Sequence, residues 1–358
     1  MHGSTSTGDG TRVQRLVDRH PSVSPDRLIS QLRPPPTFSD VSFATYRPDP
    51  AEPTQAAALR ACQDFCRTAE QRRAGRRKLF GRREVLPGVG IYLDGGFGVG
   101  KTHLLASAYY QLPGSGPGEP EHPKAFATFG ELTQLAGVFG FTECIELLAD
   151  YTAVCIDEFE LDDPGNTTLV SRMLSSLVER GVSVAATSNT LPEQLGEGRF
   201  AAQDFLREIN ALASIFTTVR IEGPDYRHRG LPPAPPPPSD DEVAARAAGT
   251  DGATLDDFDA LCAHLATMHP SRYLTLIEGV TAVFLTGVHG IDDQNVALRL
   301  VALTDRLYDA GIPVLASGAK LDTIFSAEML AGGYRKKYLR ATSRLLALTA
   351  AADRVPEP

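Results

Sequence analysis

Apolar positions along the chain switch between two periods, and the switches mark its elements. From Val89 to Ile221, short apolar runs recur at Val89–Asp94, Lys124–Phe129, Thr152–Asp157, Val182–Thr187 and Ile215–Ile221, each of strand length. Between them the spacing becomes helical. It is clearest at Asn166–Arg180, where Leu169, Val170, Met173, Leu174, Leu177 and Val178 share a face and Gly181 stops the run. Short apolar strands alternating with helices predict a parallel sheet covered on both faces, an α/β fold. A further helix is predicted over Thr54–Ala74, with Ala58, Leu59, Cys62, Phe65 and Cys66 on one side.

The segments around this core differ in composition. Residues 1–50 are rich in Pro, Ser and Asp, with Pro34-Pro35-Pro36 in the middle, and are expected to form an extended arm outside the core. Residues 51–84 hold the first helix and a basic run from Arg72 to Arg83. That run is expected as a solvated flank, with contact to a phosphate backbone or acidic partner as the alternative. The core itself is set at 85–230. Pro232, Pro233 and Pro235–Pro238 predict a linker over 231–252. A second, smaller α/β segment follows at 253–350, with strands at Thr281–Val288 and Ile312–Ser317 around a helix at Asp293–Ala310, and 351–358 is a tail. This segment echoes the core: Val154-Cys155-Ile156-Asp157-Glu158 aligns with Val283-Phe284-Leu285-Thr286-Gly287, so both carboxylates are missing from the copy. Duplication and chance both account for the match.

Composition narrows the classes. The chain has 358 residues, 42% apolar, and a net charge of −9, which argues against bulk nucleic acid as the main partner. No run approaches the roughly 18 apolar residues that span a bilayer, and Met1–Thr11 lacks the apolar core of a secretory signal. A cytoplasmic home is expected. The five cysteines form no CxxC pair. Cys62 and Cys66 lie one helical turn apart without a partner at zinc spacing, so they read as packing, as does Cys155.

The chemistry sits at two strand ends. Gly95-Gly96-Phe97-Gly98-Val99-Gly100-Lys101-Thr102 fits GxxxxGK[ST], with a strand leading in and a helix leading out. Glycines let successive N–H groups curl around phosphate oxygens, and the helix offers its positive end. Lys101 then places a charge near the β- and γ-phosphates of ATP, and the Thr102 hydroxyl ligates Mg²⁺. Asp157, at the end of its strand, is expected to hold the Mg²⁺ shell, and Glu158 to polarise the attacking water. The Asp-Glu pair favours hydrolysis over transfer. Asn189, ending the next strand, is expected beside the γ-phosphate, where its amide would orient that water. Arg199 and Arg207 are candidates for an arginine reaching a neighbouring subunit's nucleotide.

Together these residues resemble an AAA+ ATPase. More narrowly the chain is similar to the ZapE cell-division ATPases and their mitochondrial AFG-type relatives. The likeness rests on Pro34–Phe38, Tyr46-Arg47-Pro48, Asp157-Glu158-Phe159, Ala186–Asn189, Phe205-Leu206, Asp225-Tyr226-Arg227, Asn295, Arg299, Leu307-Tyr308-Asp309 and Thr342–Leu345. It departs at Ala125–Phe129, where the family has a His-Phe-His stretch, and at Ala202-Gln203-Asp204, where it has an arginine. Such departures, with an Ala/Arg/Pro-rich composition, suggest a divergent, actinobacterial-type branch. The resemblance implies an ATPase that remodels protein assemblies as a ring of copies, with FtsZ or another division component as protein substrate, and leaves room for peripheral membrane contact. It also implies that 253–350 acts as a lid, for which Arg299 is the candidate nucleotide sensor. Two other readings stand beside it: a nucleotide-gated binding module with negligible turnover, and a DNA-associated, helicase-loader-like ATPase.

Overall fold

The computed structural model describes residues 13–22, 24–77, 83–84, 86–113, 123–160, 164–192, 206–224 and 236–352. The chain divides into two units, one of residues 23–229 and one of 1–22 with 230–358.

In the first unit, α1 (Pro25–Ser30) and α2 (Pro53–Ala74) precede β1 (Gly90–Gly95) and α3 (Lys101–Gln111). Then come β2 (Lys124–Thr128), α4 (Phe129–Phe139), α5 (Phe141–Leu148), β3 (Ala153–Asp157), α6 (Pro164–Glu179), β4 (Ser183–Ser188), α7 (Leu206–Ile215) and β5 (Phe216–Ile221). The five strands form one parallel sheet in the order β2-β3-β4-β1-β5. Strand alternation splits the core in two. Tyr92, Val154, Ile156, Val184 and Ala186 pack on one face with α4–α7. Ile91, Leu93, Cys155 and Ala185 pack on the other with α2 and α3. Cys62, Cys66 and Cys155 lie together in that second core, where burial pushes the Cys66 thiol up to about 12 and the other two higher still. They are packing residues, and no metal-holding cluster occurs among the described residues.

Two expectations need correction here. The segment expected as an arm outside the core is instead built into both units. Leu28, Leu32 and Tyr46 are buried in the first unit, where the Phe126 N–H donates to the Leu32 carbonyl at 3.0 Å. Leu16 is fully buried in the second. Isolated apolar residues between prolines carry no periodicity, so the pattern gave no sign of their burial. Arg73, inside the basic run, is not solvated either. Its guanidinium donates to the Ala149 and Asp150 carbonyls at 3.2 and 2.6 Å, closing the end of α5.

The second unit contains α8 (Asp240–Ala248), β6 (Thr254–Asp257), α9 (Phe258–Ala266), α10 (Tyr273–Leu276), β7 (Val283–Val288), α11 (Gln294–Ala310), β8 (Val314–Gly318), α12 (Ala327–Ala331) and α13 (Arg335–Ala352). Its strands are parallel in the order β8-β7-β6. Helix α8 falls inside the expected linker. Ser239 caps it, accepting from the Glu242 N–H, while the Glu242 carboxylate accepts from the Ser239 N–H at 2.7 Å. Asp240 and Asp241 at its positive end and the buried Val243 and Ala247 complete the reason a helix forms there. Asp256 ties Leu16 and Val17 to this unit by accepting their N–H groups at 2.9 and 3.2 Å. No helix among the described residues is long and apolar enough to cross a membrane.

Candidate functional site

Sheet register brings the two motifs to one level. Asp94 pairs with Ser188, Gly95 with Ile221, and Ile156 with Ala186, so β4 separates the strand entering the glycine loop from the strand carrying Asp157. In Gly95–Thr102 the backbone conformation explains the sequence. Gly98 and Gly100 sit at φ of 66° and 88°, where a side chain is strained. A Cβ on Gly96 would meet nothing within 4 Å, whereas one on Gly95 would overlap the Ile221 carbonyl. Gly100 is the N-cap of α3 and supplies no side-chain hydrogen bond to the first N–H groups of that helix. An anion fits that arrangement.

Lys101 spans the loop. Its Nζ donates to the Gly95 and Gly96 carbonyls at 2.9 and 2.6 Å and to Asn189 Oδ1 at 2.7 Å. Asn189 is itself placed by the buried Tyr92, whose hydroxyl donates to the Thr190 carbonyl at 2.7 Å. Thr102 Oγ1 donates to Asp157 Oδ1 at 3.2 Å. The structure thus brings together the residues expected for phosphate, metal and water: Lys101, Thr102, Asp157, Glu158 and Asn189.

Sequence reasoning missed Thr187. Its hydroxyl donates to the same Asp157 oxygen and accepts from the Glu158 N–H at 3.1 Å, while its carbonyl accepts from the Phe159 N–H at 2.7 Å. Glu158 has a φ of 54°, which among the described residues no other non-glycine shares in sign. Such a conformation persists only where its surroundings enforce it. Thr187 holds it from one side. Phe159, buried edge-on against Tyr92, Phe129 and Phe216, anchors it from the other.

Two further groups brace the loop. Asp94, buried just before it, forms an ion pair with Arg220 of β5. Tyr46 reaches in from the segment ahead of α2, with its hydroxyl donating to the Val99 carbonyl at 3.2 Å.

The arginine candidates fare differently. Arg207 is exposed on α7. Arg199 lies outside the described residues. Arg299 is engaged inside its own unit, where Nη1 donates to the Leu265 and Met268 carbonyls at 2.8 and 2.6 Å and closes the end of α9. Those bonds give the arginine a structural part within its own unit.

Residues 22–354 match the family described as AFG1-like ATPase. The cell division protein ZapE of Escherichia coli (strain K12) is 27% identical over 309 residues, covering 75% of this chain and 80% of that protein. Lactation elevated protein 1 homolog B of Danio rerio is 25% identical over 166 residues, covering 41% and 32%. Among solved structures, the replication initiator DnaA bound to AMPPCP and single-stranded DNA aligns at 12% identity and a TM-score of 0.40, over 88% of this chain and 95% of that one.

Proposed function

The chain belongs to the AFG1-like ATPase family, and from that premise we propose that it hydrolyses Mg-ATP to remodel a protein assembly, in cell division by its likeness to ZapE. The observation that carries the reading is the convergence of Lys101, Thr102, Asp157, Glu158 and Asn189 at the carboxyl ends of the three inner strands.

The loop N–H groups and Lys101 bind the triphosphate. The Thr102 hydroxyl and Asp157 carboxylate form a hard oxygen pair suited to Mg²⁺, which when bound neutralises charge on the phosphates. Glu158 accepts a proton from water at its carboxylate. Asn189 has a second part. Its Oδ1 now accepts from Lys101; as the ammonium turns to phosphate, that oxygen is released to orient the water. An arginine from a neighbouring copy, Arg207 or Arg199, completes the site in a ring. The second unit, as a lid, turns the cycle into motion. The partner is a protein, FtsZ or another division component, met in the cytoplasm.

Phosphate release by the wild type against Glu158→Gln tests the reading. A rate that falls at least a hundredfold, about 2.7 kcal/mol of barrier, supports hydrolysis. Equal, near-zero rates would favour the nucleotide-gated module. Capture of a partner on ATP-loaded Glu158→Gln then names the target, and stimulation by DNA with a steep salt slope would favour the helicase-loader reading instead.

A further inference from the structure

The glycine loop explains its own glycines but not what keeps its peptide groups facing the right way. Each peptide unit has two polar ends. In a planar trans peptide the C=O of one residue and the N–H of the next point in opposite directions. Fixing a carbonyl therefore fixes the following amide.

At Val99–Gly100 that fixing is done by a residue more than fifty positions away. Tyr46 Oη donates to the Val99 carbonyl at 3.2 Å in a buried setting. Its ring lies against Gly100, so closely that a Cβ there would stand 2.6 Å from a ring carbon. Tyr46 is held in turn. Its ring meets that of His103 at 5.5 Å. His103 Nε2 lies 3.2 Å from the Ser42 carbonyl and 3.0 Å from Thr45 Oγ1. Because a carbonyl only accepts, that nitrogen carries the proton. Burial pushes the Tyr46 phenol up to about 12, so the hydroxyl stays a donor near neutrality.

We propose that Tyr46 is a positioning residue of the phosphate site, holding the Val99 carbonyl outward on its hydroxyl so that the Gly100 N–H faces the bound anion. The inference rests on the nucleotide reading above and adds to it a residue from outside the loop. It also accounts for the 42–46 segment, in which Ser42 and Thr45, together with His103, form the frame where Tyr46 stands.

The test compares Tyr46→Phe with wild type and Lys101→Ala, by direct titration with ADP and with ATP and by steady-state phosphate release. Phenylalanine keeps the ring on Gly100 and removes only the hydroxyl. Backbone N–H groups of such a loop cradle the α- and β-phosphates, so ADP and ATP affinity fall together, each about five- to tenfold for one neutral hydrogen bond. KM rises by the same factor and kcat stays within about twofold. A purely structural role would lower the melting temperature and the active fraction, leaving KM unchanged. Wild-type affinity for both nucleotides in Tyr46→Phe, with Lys101→Ala unable to bind, overturns the proposal and leaves the nucleotide reading standing. A wild type that binds neither nucleotide removes that reading itself. One measurement needs no variant: ADP must slow hydrogen exchange at the Gly100 amide, and an unchanged rate there overturns the proposal.

Discussion

Replacing Thr187 by valine preserves shape and removes one hydroxyl, and that hydroxyl serves two neighbours. It donates to the Asp157 carboxylate and accepts from the Glu158 N–H at 3.1 Å. A hydrogen bond to a charged group contributes about 1.5–3 kcal/mol, and an orphaned N–H costs about 1–3 kcal/mol where it is buried. Thr102 Oγ1 still donates to the same carboxylate oxygen, and Glu158 is only half-buried, so about 2 kcal/mol is the expected loss. Part of it appears as lower stability in denaturant. The rest appears at Glu158, whose φ of 54° loses its hydrogen-bonded support. If all of it reached the hydrolytic step, kcat would fall about 30-fold at about 1.4 kcal/mol per tenfold. Nucleotide affinity, set mainly by the loop and Lys101, stays within about threefold. Phosphate release at saturating ATP, with ADP titration alongside, measures the split, and Thr187→Ser should restore most of kcat. A Thr187→Val protein with wild-type kcat would refute the claim that this hydroxyl sets the geometry of Glu158.

Three further outcomes follow from buried charge and from the latch on Lys101. Arg220→Ala strips the Asp94 carboxylate, 2% exposed, of its ion-pair partner and should destabilise the first unit by about 2 kcal/mol in denaturant, with Asp94→Asn in the same background recovering part of it. Burial opposes the charge of Asp305, yet the Arg340 and Arg344 guanidinium groups outweigh it and hold its carboxyl below the usual range. A depressed folded-state pKa gives stability that is present above the unfolded value and lost as pH falls through the folded one, so the second unit should weaken below about pH 4, and less steeply in Asp305→Asn. Asn189→Ala removes an acceptor that holds Lys101 at 2.7 Å, so ATP affinity should hold or rise while kcat drops at least tenfold; a matched fall in both would count against a separate role in orienting water.

The sheet was legible because its strands alternate between two apolar cores and leave little freedom of assignment. Tyr92, Val154, Ile156, Val184 and Ala186 serve one face, and Ile91, Leu93, Cys155 and Ala185 the other. The loop and the Asp157-Glu158 pair were legible because phosphate binding demands glycines and carboxylates at fixed offsets from strands. Thr187 was not, because a threonine near a strand end is ordinary and its partners come from the adjacent strand. Only register discloses them. Tyr46 was visible as part of a shared motif, Tyr46-Arg47-Pro48, yet nothing local pointed to Gly100. Helix α8 had a readable start at Ser239-Asp240-Asp241-Glu242 that the preceding prolines obscured.

The second unit explains why Thr187 sits where it does. Its β7 carries Thr286-Gly287 near its carboxyl end where β3 runs into Asp157-Glu158, and its β8 offers Ser317 where β4 offers Thr187. The geometry repeats. The Gly287 N–H donates to Ser317 Oγ at 3.2 Å, as the Glu158 N–H does to Thr187 Oγ1 at 3.1 Å. Ser317 passes its own hydrogen to Asp240, as Thr187 does to Asp157. Gly287 even shares the positive φ, at 70° against 54°. The hydroxyl bridge thus occurs where there is no carboxylate pair to serve, which makes it first a way of tying adjacent parallel strands near their carboxyl ends. In the second unit glycine takes the left-handed position without strain. In the first a glutamate takes it, at a cost of order 1–3 kcal/mol, and the residue that accepts the strain is the one expected to activate water. A structural device common to both units thus carries a strained glutamate in one and a glycine in the other, and the glutamate is the residue proposed for chemistry.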